Sequence, residues 1–119
     1  MKTSELTKAV LNWAVAKCEF EGCEDWDGTL EGVDSVSDMQ GKPYSPSTDW
    51  SQGGPIIERE AIQITPDEYK GTWTAYMTDG GEPYEGTGPT PLIAAMRCFV
   101  VSKLGNEIEV PEDSNKEQV

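Results

Sequence analysis

The sequence predicts an α+β fold, a small antiparallel sheet packed with two main helices. Three observations carry this. An apolar helix is closed between Thr90 and Gly105. A helical period runs near the N-terminus. Between them lie two short alternating segments joined by a turn. The 119 residues suffice for one domain, placed at 1–111, with 112–119 expected as a flexible acidic tail.

Residues 3–18 read as the first helix. Thr3 or Ser4 can cap its free N–H groups, and Glu5 suits the positive end of the helix dipole. Leu6, Val10, Trp13, Ala14 and Cys18 recur on one face, while Lys8, Asn12 and Glu19 fall on the other. Residues 19–47 change character. Eight acids stand between Glu19 and Asp38 with no Lys or Arg, and glycines break any period. This predicts a long acidic loop holding at most one short hairpin, either functional, partly disordered or held by a partner. Residues 44–55 are turn chemistry, and Pro55 suits the first turn of a short helix over Ile56–Glu60. Ile62 and Ile64 alternate with polar neighbours as in a strand. Pro66-Asp67-Glu68 reads as a turn, and Trp73–Met77 as a second, antiparallel strand that ends at Asp79-Gly80-Gly81. In the last helix Thr90 is the N-cap, Pro91 the first residue and Gly105 the stop. That helix is apolar nearly all round. It should therefore lie on the sheet and be covered elsewhere by the first helix or by a partner chain, and the latter predicts a homodimer.

Charge and composition exclude several functions. Asp and Glu total 22 against 9 Lys and Arg, giving a formal net charge of −13, and there is no histidine. Such a field repels phosphate backbones, so no direct nucleic-acid binding is expected. Lack of histidine removes the commonest general base, the usual nucleophile triads and most zinc sites. No apolar stretch nears the roughly 20 residues of a membrane helix, and Met1–Glu5 lacks the apolar core of a signal peptide. A cytoplasmic protein with no membrane partner is expected. Cys18, Cys23 and Cys98 read as buried small hydrophobes, because the spacing of the first two fits no common zinc pattern. No cofactor or metal is expected.

Three blocks of sequence carry a resemblance. They are Lys2–Thr7 with Ala14–Cys18, Tyr44–Trp50 running into Gly53–Glu60, and Gly88–Arg97 with Lys103-Leu104-Gly105. Together they resemble the phage NinX family, and the last two are also similar, more loosely, to a phage domain described as an alpha-beta-alpha sandwich. The resemblance implies a small accessory protein of a tailed phage or prophage, made in a bacterial cytoplasm, with two main helices and a small sheet. It brings no catalytic residues with it.

The candidate site is drawn from the residues of those blocks. Arg97 lies among Ile93, Val101 and Leu104 and cannot lose its charge, so burial demands a partner. That partner is either a carboxylate of the chain, such as Glu58, Glu60 or Asp49, or an anionic ligand; otherwise the side chain reaches out to solvent. Trp50 is either a plug in the core or a stacking platform for a base or sugar. Gly53 and Gly54 form either a tight turn or a cradle that lets backbone N–H groups approach an anion. Ser47, Thr48 and Thr90 can cap helices or bind, and Asp49 and Arg59 complete the set. Catalysis is not expected. The leading expectation is capture of a small anionic, nucleotide-like ligand as a counter-defence. The first alternative is an acidic inhibitor or nucleic-acid mimic whose segment 19–38 engages a basic host protein. The second is a scaffold with no ligand.

Overall fold

The computed structural model describes residues 3, 6, 8–20, 30–31, 35–36 and 43–108. In chain order these form α1 (Lys8–Phe20), β1 (Leu30–Glu31), β2 (Ser35–Val36), α2 (Trp50–Glu60), β3 (Gln63–Asp67), β4 (Thr72–Asp79), β5 (Glu82–Gly88) and α3 (Pro91–Leu104). Strands β3, β4 and β5 make one antiparallel sheet in that order. β1 and β2 pair as a separate short hairpin, within the stretch read as the acidic loop. Residues 21–29, 32–34 and 37–42 of that stretch and the tail 112–119 lie outside the described residues.

α3 organises the core. Thr90 caps it as the sequence predicts, its Oγ1 accepting from Ile93 N at 3.1 Å. One side of α3 rests on β4 and β5, and other sides meet α1 and α2. Leu92, Ala94, Ala95, Met96, Cys98, Phe99 and Val100 are all buried. The layers run from sheet to α3 to α1 and α2. The apolar surface of α3 that pointed to a second copy is thus covered by the chain's own helices.

Close approach of α3 to the sheet requires glycine on β5. A Cβ at Gly86 would stand 2.5 Å from Cys98 N and 2.7 Å from Ala94 O, backbone atoms that cannot swing away. The hairpin between β4 and β5 is a two-residue loop, Gly80 and Gly81 both at positive φ (63° and 86°), the twist a tight antiparallel turn needs. β5 itself escaped the sequence reading, which treated Gly80-Gly81 only as an end.

Other local readings change. α1 begins at Lys8 and runs to Phe20. Thr3 does not cap it. Thr3 is buried, its Oγ1 donates to Gly105 O at 2.6 Å and its N–H to Asn106 O at 2.8 Å, tying the N-terminal segment to the end of α3. Ser4 lies outside the described residues. Asn12 faces inward: its Oδ1 accepts from both N–H and Oγ of Ser47, so one buried amide holds the 44–48 turn against α1. α2 starts five residues before Pro55, at Trp50. Asp49 is its N-cap, with Oδ1 accepting from Ser51 N at 2.9 Å. Pro55 therefore stands inside the helix, where its missing N–H removes one intrahelical bond. Pro66 and Asp67 continue β3 rather than turn. A proline is tolerated there because β3 is an edge strand.

Candidate functional site

Arg97 projects from α3 toward the outer edge of β5. Its Nε donates to Leu6 O at 2.9 Å and its Nη1 to Thr87 O at 2.8 Å. The guanidinium thus joins the segment before α1, the end of β5 and α3. The carboxylate expected as its partner is not there: neither Glu58, Glu60 nor Asp49 bonds it, and two backbone carbonyls do the work instead. Carbonyl oxygens carry partial negative charge and need no desolvation of a second ion, so they satisfy a half-buried arginine at lower cost than a buried ion pair. Burial without a counter-charge pushes the Arg97 pKa down from its ordinary value, though the group stays protonated. A guanidinium has five N–H donors. Two are used, and no buried polar side-chain atom of the described residues lacks a partner, so Nη2 is not fully buried.

Arg97 lines a hollow of about 350 Å³ together with Thr3, Glu85, Thr87, Asn106 and Glu107, with Val101 as its apolar side. The volume is at the lower end for small-molecule sites. Apart from Arg97, none of these residues belongs to the candidate site read from the sequence. They come from both ends of the chain and from a strand that the sequence reading missed.

The other candidates do not gather around Arg97. Ser47 is buried on Asn12, and Thr48 is an exposed turn residue whose N–H bonds Ser45 O at 3.1 Å. Asp49 caps α2 and Thr90 caps α3. Gly53 and Gly54 belong to the body of α2, neither a turn nor a cradle. A Cβ on Gly53 would strike Pro46 O and stand 2.6 Å from Leu92 Cδ2, so this glycine lets α2 close on the preceding turn and on α3. Trp50 is no core plug. It is 56% exposed on the first turn of α2, its ring beside Gly54.

Arg59 is fully engaged by acids. Nη1 and Nη2 bond both oxygens of Glu19 (3.1 and 2.6 Å), and Nε bonds Glu60 at 2.9 Å. These bonds hold its pKa above the usual arginine value. The chain of charges continues from Glu60 to Lys103 (4.0 Å) and on to Asp79 (3.0 Å), and Arg59 and Lys103 both stand over the Phe99 ring. Positions 97 and 99 are about 200° apart around a helix. Arg59 and Arg97 therefore serve different faces of α3.

Among the described residues no cysteine lines the hollow. The Cys98 thiol is buried, and desolvation, with help from the charge on Glu85, pushes its pKa up to about 12. Among the described residues no group of three or more acids or thiols could hold a metal ion, and no helix is long and apolar enough to cross a membrane. The wall of the hollow thus joins one guanidinium, Arg97, and two carboxylates, Glu85 and Glu107.

No curated protein matches the chain. Residues 2–103 match the family described as Bacteriophage P22, NinX. The three blocks that carried the resemblance lie within or at the margin of that span, and the chain belongs to this family, as a bacteriophage accessory protein.

Proposed function

We propose that the protein is a non-enzymatic binding protein of the host bacterial cytoplasm that captures a small anionic, nucleotide-like ligand and withholds it from a host defence. One observation carries the reading: Arg97, bonded to two backbone carbonyls and to no carboxylate, lines a hollow of about 350 Å³. An oxyanion seated there accepts charge-assisted hydrogen bonds from Nη2. Glu85, Glu107 and Asn106 on the same wall accept from amino or hydroxyl groups of the remainder of the ligand. The two glutamates also select against extra negative charge. A like charge at roughly 7 Å costs about 1 kcal/mol at an effective dielectric near 40. A singly charged phosphodiester, as in a cyclic mononucleotide, fits this wall better than a di- or triphosphate.

The test is calorimetric titration of the full chain with cyclic mononucleotides, linear monophosphates and triphosphates. Binding at one site is expected, strongest for the monoanions. Removing both repulsions, of about 1 kcal/mol each, Glu85→Gln with Glu107→Gln should tighten binding of the linear monophosphate about 30-fold. Absence of heat with every ligand, or affinity indifferent to both glutamates, overturns the reading.

A further inference from the structure

We infer that the open face of the β3–β4–β5 sheet docks a basic protein segment, seating an arginine or lysine side chain in a trough between Tyr69 and Tyr76. The face is defined by register. On β4, Ala75 and Met77 turn to α3 while Thr74, Tyr76 and Thr78 turn away. Cross-strand pairing builds a row Thr65–Thr74–Thr87 and a row Gln63–Tyr76–Glu85 across all three strands. Threonine on an exposed strand needs no explanation beyond strand preference. The tyrosines do. Tyr76 stands in the middle of the sheet and is 44% exposed, and Tyr69, in the turn after β3, is 95% exposed. Both line a trough of about 420 Å³ with Thr65, Asp67, Glu68 and Thr74.

Charge names the occupant. Residues 63–88 contain five acids, Asp67, Glu68, Asp79, Glu82 and Glu85, and one base, Lys70. Asp79 is paired with Lys103 of α3, and by register Asp79 and Glu82 lie on the α3 side; Asp67 and Glu85 on the open face, with Glu68 in the turn beside it, meet no cation among the described residues. A second copy would bring the same acids and the same −13 charge onto this face, so like charge opposes stacking of the sheet on itself. Strand addition at the β3 edge is disfavoured by Pro66, which lacks an N–H to pair. What fits is a cation approaching the face: an ammonium or guanidinium over a tyrosine ring with Asp67 and Glu68 beside it.

The trough between the tyrosines shares no lining residue with the Arg97 hollow, although Glu85 and Thr87 at the end of each row also line that hollow. The experiment titrates an arginine octapeptide into the full chain at low salt and follows backbone amide shifts, with a glutamate octapeptide as control. Shifts should centre on Thr65, Tyr69, Thr74 and Tyr76. Tyr69→Ser should weaken binding about three-fold, and Tyr69→Ser with Tyr76→Thr about ten-fold, while Trp50→Ser leaves it unchanged. Threonine at 76 suits a strand and Tyr69 is in a turn, so both variants retain the sheet. Shifts confined to residues 21–38 or 112–119, or a double variant that binds like the parent, overturn the proposal. So does a dimer in sedimentation that Tyr76→Thr dissolves, because the face then belongs to a second copy.

Discussion

Two adjacent glycines in α2 should respond to the same substitution with opposite sign. In a helix interior, Gly→Ala stabilises by about 1 kcal/mol, because glycine has more backbone freedom to lose. At Gly54 nothing opposes that gain. The nearest atom to an added Cβ is Trp50 Cε3 at 4.0 Å, an ordinary contact. Gly54→Ala should therefore stabilise by about 1 kcal/mol, or about 4 °C in Tm for a domain of this size. At Gly53 the same methyl strikes Pro46 O and comes within 2.6 Å of Leu92 Cδ2. The Pro46 carbonyl is backbone in the turn that Asn12 anchors through Ser47. Forcing that apart costs about 3 kcal/mol, which leaves a net loss of about 2 kcal/mol and about 8 °C after the helix gain. Thermal melts and urea titrations of the two single variants measure the difference directly. Shifts of the same sign in both, or a destabilised Gly54→Ala, would refute a helix at these positions and restore a turn.

Three further outcomes follow from the same geometry. Ala61 ends α2 in the left-handed region (φ 56°, ψ 48°), so Ala61→Gly should stabilise by about 0.5–1 kcal/mol in a urea titration. Arg59→Met should cost about 1 kcal/mol, because the guanidinium pairs bidentately but its side chain is 49% exposed; the loss should shrink at high salt. Cys98 predicts alkaline weakening: the folded chain keeps the thiol proton to about pH 12, whereas the unfolded chain loses it near 9. Between those values the unfolded chain binds fewer protons, so stability falls by up to about 1.4 kcal/mol per pH unit, and Cys98→Ala should flatten that slope in denaturant titrations.

Much of the fold was legible because it rests on local chemistry. Thr90, Pro91 and Gly105 punctuate α3 by the conformations each residue favours, and the alternation of Trp73–Met77 marks β4. The reading failed where tertiary contact overrides local preference. Gly53-Gly54-Pro55 is strong turn chemistry by itself. Here it is helical because Asp49 caps the helix, and because close packing on Pro46 and Leu92 leaves room only for glycine. Asn12 looked like a solvent-facing polar residue. Its inward position follows from the unpaired N–H and Oγ of Ser47, 35 residues away.

The site was less legible, for a reason that concerns arginine. Demanding a carboxylate for Arg97 treats charge as the only currency, yet a guanidinium is also a rigid fork of donors, and carbonyls at Leu6 and Thr87 fit that fork. Those carbonyls carry no sequence signature, because every residue has one. What the sequence does hold is the contrast between two arginines. Arg59, near the end of an amphipathic helix, finds Glu19 and Glu60. Arg97, inside an apolar helix, is too far around α3 to share them. In a chain with a large acidic excess, Arg97 still bonds no acid, although Glu85 and Glu107 line the same hollow, because its fork is held by the carbonyls of Leu6 and Thr87.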